Sequence, residues 1–142
     1  ARGLRWLVNA HATVGGGDSA VTLAGVDDPH KFRCADLGAA LAGARADCPV
    51  VLLAHSPGIA LAASEAGVAL TLCGHTHGGQ LCLPGGYPIY RNGRFPRDRT
   101  KGAWRLGSMA GYTVSGLGCT AVPLRYHCAP EAALLTVRSM GD

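Results

Sequence analysis

The residues in this sequence best suited to chemistry are three histidines. His55 directly follows the apolar run Val50–Ala54; His75 and His77 lie in Gly74-His75-Thr76-His77-Gly78-Gly79, after the apolar run Val68–Cys73. A neutral imidazole nitrogen binds borderline divalent metals at about 2.0–2.1 Å. Histidines two apart in a loop can point at neighbouring positions if the backbone bends, and Gly74 with the Gly78-Gly79 pair supplies that freedom. A lone histidine at a strand end is more often a hydrogen-bonded structural residue, and an isolated His-x-His is ambiguous. Three of them at the ends of two consecutive buried runs, with glycine on both sides, make a candidate metal site.

A second group is basic. Arg91, Arg94, Arg97, Arg99, Lys101 and Arg105 fall in a stretch whose one acid is Asp98. Such a cluster attracts phosphate, nucleic acid or anionic lipid headgroups, and a solvated loop that keeps the protein soluble explains it equally well. Because the stretch follows the histidine loop, Arg91, Arg94, Arg97 and Arg99 are the candidates for substrate contact, by guanidinium pairing with phosphate. Trp104 and Tyr87 fit better as anchors of that loop than as platforms for a ligand.

Positioning these groups requires an α/β framework. Short β-prone runs occur at Leu4–Val8, Val21–Gly25, Val50–Ala54 and Val68–Cys73, and again at Tyr112–Leu117 and Ala133–Arg138. Asp36 is placed to cap a helix from Leu37 to about Ala46, and a second helix runs from about Gly58 to Ala66, ended by Gly67. Strands alternating with helices imply parallel pairing with right-handed crossovers. Ligands of open α/β sheets bind beyond the carboxyl ends of the strands, so adjacent strands would deliver all three imidazoles to one edge. A glycine- and proline-rich basic segment, Gly78 to about Gly111, is long for a structureless loop.

Composition sets the outer bounds. The chain has 142 residues, 48% of them apolar and 15% charged, so it is neither disordered nor fibrous and is long enough for one core. No apolar run approaches the ~20 residues of a transmembrane helix. The six cysteines show neither CxxC pairs nor zinc-ribbon spacing, which favours a reducing compartment over a disulfide framework.

The run Val51-Leu52-Leu53-Ala54-His55-Ser56-Pro57, followed by Leu72-Cys73-Gly74-His75-Thr76-His77-Gly78-Gly79-Gln80, resembles the calcineurin-like metallophosphoesterase superfamily. The GHTHGGQ sequence with Leu83-Pro84 is similar to a bacterial branch that includes membrane-associated, lipid-type phosphoesterases. Gly111-Tyr112, Gly116-Leu117-Gly118, Pro123, Arg125, Pro130 and Glu131 also fit its tail. The resemblance implies two divalent metal ions (Mn, Fe or Zn), with His55 and His75 on one and His77 on the other. It implies a bridging hydroxide that attacks phosphorus, the cations about 3.5–4 Å apart.

That family also uses an Asp-x-His, a Gly-Asp and a Gly-Asn-His ahead of these histidines, and none is convincingly matched. Asp28-Pro29-His30 has the first spelling but follows the run Leu23–Val26 rather than the domain's first strand; Asn9-Ala10-His11 imitates the last with an extra residue. Both are expected to be decoys. The general acid and bridging carboxylate are expected upstream of Ala1.

The fold expected is therefore α/β, part of a four-layer α/β/β/α sandwich whose N-terminal half is missing, with residues 1–142 the C-terminal portion of a single domain. The function expected is metal-dependent hydrolysis of a phosphoester or pyrophosphate bond in a small phosphorylated substrate, lipid-linked or a sugar-nucleotide, by the intact parent. The fragment alone is expected to be inactive. Rival readings are a noncatalytic metal-binding remnant and, more weakly, a basic nucleic-acid-binding module. Location is open between the cytoplasm and a membrane surface reached through the N-terminal region.

Overall fold

Short apolar runs build the sheet. In the computed structural model, which describes residues 3–91 and 93–138, six strands form one mixed sheet in the order β1-β2-β3-β4-β8-β7. These are β1 (Ala10–Val14), β2 (Val21–Gly25), β3 (Val50–Ala54), β4 (Leu70–Cys73), β7 (Gly102–Leu106) and β8 (Met109–Thr113). The four inner strands β2, β3, β4 and β8 run parallel, and the edges β1 and β7 are antiparallel. Two short strands, β5 (Cys82–Leu83) and β6 (Tyr87–Pro88), pair in a separate ribbon. Among the described residues no helix is long and apolar enough to cross a membrane.

The helices are short. Asp36 caps α1 (Leu37–Leu41) by accepting the Ala39 N–H at 2.8 Å. The helix ends well before Ala46, because Gly43 takes a φ of +75°. Helix α2 (Ala60–Glu65) follows a single 3-10 turn at Pro57–Ile59 and stops at Gly67, also at φ +75°. Both pack on one sheet face around Ala24, Leu52, Ala60, Ala63, Val68 and Met109.

Val21–Gly25, Val50–Ala54 and, from Leu70 on, Val68–Cys73 form strands as expected. The strand expected at Tyr112–Leu117 lies earlier, at Met109–Thr113, because the Ser115 N–H bonds the Glu131 carboxylate instead of a neighbouring strand. The other two form no strand. Leu4–Val8 forms no strand: the Leu7 carbonyl crosses Gly25 so closely that a Cβ there would lie 2.3 Å from its oxygen, and Leu4 and Trp6 stay exposed. The edge strand is Ala10–Val14 instead. Nor does 133–138 pair with a neighbour; Leu135 and Val137 line an apolar hollow with Leu23, Val51, Leu53 and Leu72 on the sheet face away from the helices. The long basic segment contains a strand, β7, turned onto β8 through Gly107-Ser108. Trp104 fixes that hairpin by lying over Gly111, where a Cβ would meet its ring at 2.3 Å, and by donating its indole N–H to Thr113 Oγ1 at 2.9 Å.

Candidate metal and phosphate site

Register places the first two imidazoles. Ala54 pairs with Cys73 across β3 and β4, so the next residues leave the sheet together, and the Gly74 N–H donates to the His55 carbonyl at 3.1 Å. His55 Nε2 and His75 Nδ1 then stand 3.0 Å apart, with ring centroids at 4.7 Å. Two metal–nitrogen bonds of about 2.0–2.1 Å, at angles between square and tetrahedral, put their nitrogens about 2.9–3.4 Å apart. The pair has that spacing. The same distance suits a hydrogen bond between the rings, one donating and the other accepting.

The loop that carries His75 and His77 is in an unusual conformation. His75, His77, Gly78, Gly79 and Gln80 all have positive φ, at 67°, 50°, 65°, 87° and 54°. Left-handed conformations at residues other than glycine persist where the surroundings enforce them, and they concentrate at functional sites. The two glycines are obligatory here: a Cβ on Gly78 would lie 2.6 Å from Ser115 Oγ, and one on Gly79 would lie 2.4 Å from Pro88 Cβ. Gly74 is different. Its φ is ordinary and a Cβ would find Val114 Cγ1 at 3.8 Å, so it lends no special freedom to the loop.

Two residues from the tail and the loop hold this conformation. The buried Gln80 donates its amide to the carbonyls of Thr120 (2.9 Å) and Val122 (3.0 Å) and accepts the Thr120 N–H at 2.6 Å. Arg125 donates to the carbonyls of His77 (3.1 Å), Ser115 (2.8 Å), Gly116 (3.0 Å) and Gly118 (2.6 Å). Neither role is visible in one sequence, because the partners are backbone groups, and the bonds that tie the loop to the tail join residues forty or more apart. His77 Nδ1 lies 3.2 Å from the Gly118 carbonyl, which would fix the ring with Nδ1 protonated and turn Nε2 outward. Beneath the loop, the Cys82 and Cys128 thiols both reach the Gly78 carbonyl at 3.4 Å. Burial pushes the Cys73 thiol up to about 12.

A third strand end joins the site. The loop after β2 brings Asp28, His30, Lys31 and Phe32 around His55 and His75, lining a cleft of about 510 Å³. The His30 and His75 ring centroids are 4.4 Å apart. Asp28 organises that loop by accepting the N–H groups of His30 (3.0 Å), Lys31 (2.6 Å) and Phe32 (2.7 Å). The Phe32 and His30 bonds hold its carboxyl below the usual range, helped by Lys31 and by the neighbouring His55. Asp28-Pro29-His30 therefore lies at the site, although its carboxylate serves the backbone. Its signal in the sequence is the one His55 and His75 carry, a place beyond the carboxyl end of a parallel strand. Asn9 and His11 do structural work: Asn9 accepts the Asp27 and Asp36 N–H groups at 2.9 and 3.0 Å, and His11 Nδ1 meets the Ala40 carbonyl at 2.9 Å.

The basic segment divides. Arg91 donates to the Phe95 carbonyl, Arg97 to the Pro88 carbonyl at 3.1 Å while lying over the Tyr87 ring, and Arg99 lies over Trp104. Arg94 points into a cleft of about 800 Å³ that also borders His30, Arg33 and Ser56.

His55 and His75 thus fit two ligands of one metal ion. Among the described residues no set of three His, Cys, Asp or Glu side chains is placed to hold one, so a complete binuclear centre does not fit this chain by itself.

Comparison with known proteins agrees with the family resemblance. The chain is 40% identical over 89 residues to the uncharacterized metallophosphoesterase YkuE of Bacillus subtilis (strain 168), a match covering 63% of this chain and 31% of that protein. It is 36% identical over 93 residues to the phosphodiesterase YaeI of Escherichia coli (strain K12), covering 63% of this chain and 33% of that protein. The matched stretch is therefore about a third of the length of these curated relatives. No family model matches, and no solved structure matches. Through the greater part of its length, the chain is related to the calcineurin-like metallophosphoesterases.

Proposed function

We propose that this chain supplies one side of the active site of a metal-dependent phosphoester hydrolase. The observation that carries the reading is the His55–His75 pair, 3.0 Å apart at the carboxyl ends of adjacent parallel strands, in a chain related to a metallophosphoesterase and a phosphodiesterase. In this reading His55 and His75 share one divalent ion (Mn, Fe or Zn) and His77, steadied by Gly118, faces a second. Bound ions would lower the pKa of a shared water and neutralise charge on the phosphoryl oxygens. The chain's own residues hold the imidazoles in place and, through the loop after β2, close one wall of the cleft.

The remaining ligands and the general acid are assigned to parts of the protein outside this sequence, because the Asp28 carboxylate is already engaged by three N–H groups. The four-layer sandwich belongs to the same proposal. Leu53 is 40% exposed on the sheet face away from the helices, beside Val51 and Leu72, and this apolar surface suits a second sheet. A noncatalytic remnant remains the reading of the isolated fragment, favoured by the lack of a three-residue metal group among the described residues.

The test assays fragment and full-length protein on bis(4-nitrophenyl) phosphate, after chelation and with Mn²⁺, Fe²⁺ or Zn²⁺ restored. Metal-dependent turnover by the full-length protein and little by the fragment is expected, since a missing general acid alone removes typically ~10²–10⁴-fold. Absence of metal-dependent turnover in the full-length protein would refute the assignment.

A further inference from the structure

The larger cleft shares His30 with the histidine site, so the two form one continuous surface. Resting on the hydrolase reading, we propose that this second cleft is an anion subsite that binds a second phosphate on the substrate, beyond the one hydrolysed, together with an attached apolar group.

Its charge is one-sided: Arg33 and Arg94 line it and no carboxylate does. The one ion pair among the described residues is Arg45–Asp47, and neither cleft arginine has a hydrogen-bond partner there. In that they differ from Arg91 and Arg97, whose guanidinium groups are hydrogen-bonded to carbonyls of their own segment. Two guanidinium groups without protein acceptors, on the border of a site for phosphoryl chemistry, match the donors a phosphate needs.

Both arginines are held from behind. Arg33 has a φ of +54° in a loop closed by the Cys34 N–H on the Asp28 carbonyl (3.0 Å) and by the Asn9 amide on the Cys34 carbonyl (2.8 Å). Arg94 sits between Gly93 and the buried Phe95; a Cβ on Gly93 would meet the Phe95 ring at 2.4 Å, so only glycine lets the ring lie there. Leu37, Ile59 and Phe95 give the cleft an apolar floor. A ligand with a charged head and an apolar body fits this division, whereas free inorganic phosphate would use only the charged part.

The experiment compares inorganic pyrophosphate with inorganic phosphate as inhibitors and as calorimetric ligands of the full-length protein, wild type against Arg33→Gln/Arg94→Gln. Losing charge-assisted bonds from two guanidinium groups should weaken pyrophosphate by about tenfold or more and leave phosphate within about twofold. An unchanged preference for pyrophosphate in the double variant would overturn the subsite, as would equal weakening of both anions. If the wild type hydrolyses nothing, the hydrolase reading falls, and calorimetry still decides the subsite. An arginine-dependent preference for pyrophosphate supports it, and no preference overturns it.

Discussion

Gly74, Gly78 and Gly79 look alike in the sequence and are not alike in the fold. Gly79 combines a φ of +87° with a Cβ position 2.4 Å from Pro88, whereas Gly74 has ordinary φ and room for a methyl group. Gly79→Ala is therefore expected to destabilise the chain by about 1–3 kcal/mol, and Gly74→Ala to stay within about 0.5 kcal/mol, both read from urea unfolding. Equal effects would contradict the geometry. The histidines were legible because their chemistry and their strand-end positions coincide. His30 is less legible, because Asp28-Pro29-His30 follows the run Leu23–Val26 instead of the first strand where the resemblance places that motif, while its place in the site comes from the end of β2. The roles of Gln80 and Arg125 were hidden further, since backbone carbonyls carry no sequence signal.

At the scale of elements, the histidine loop depends on the tail that follows β8. Arg125 joins one carbonyl of the loop, that of His77, to three of the tail, those of Ser115, Gly116 and Gly118, with a planar fork that a lysine cannot reproduce. Arg125→Lys should lower stability by about 1–3 kcal/mol and raise amide exchange across 75–80 first; exchange rising uniformly would argue against a local strut. Glu131 pins the same tail by accepting the Tyr112 hydroxyl and, at 2.9 Å, the Ser115 N–H. Those bonds, the Tyr112 hydroxyl foremost, lower the Glu131 pKa from 4.5, while the Glu131 bond, burial and the carboxylate charge raise that of Tyr112 from 10.0. A lowered carboxyl pKa contributes stability that is complete above 4.5 and is lost as pH falls through the folded value. A raised tyrosine pKa contributes below 10.0 and is lost as pH rises through its folded value. The stability difference between wild type and Glu131→Gln should therefore be widest between those limits and shrink at either extreme. A pH-independent difference would remove the pair from the account. The strands Val21–Gly25 and Val50–Ala54 were readable from their apolar runs, whereas β7 was concealed in a basic segment because its pairing is secured by one tryptophan lying over a glycine.

Across the whole molecule, the two faces of the sheet are unequal. Leu52 is fully buried under the helices and Leu53, its neighbour, is 40% exposed on the other face. Truncating Leu52 to alanine should cost about 2–5 kcal/mol in this chain, and Leu53→Ala well under half of that; comparable losses would mean that the second face is already covered. The apolar run Val50–Ala54 points to burial on both faces; among the described residues the helices cover one face, and Leu135 and Val137 cover the other in part, so that Val51 is buried and Leu53 is not. The site shares that one-sidedness: β2, β3 and β4 deliver His30, His55 and His75 to one edge, the Asp28 carboxylate beside them is engaged by backbone N–H groups, and among the described residues no three-residue metal group forms. The central claim, that His55 and His75 act as one metal-holding unit, is tested most directly by a double-mutant cycle on metal-dependent phosphodiester hydrolysis by the full-length protein. Residues that act as a unit are grossly non-additive, so His55→Ala and His75→Ala should each lower turnover by about 10²-fold or more, and the double variant no further. Single variants near wild-type turnover, or effects that multiply in the double variant, would contradict it.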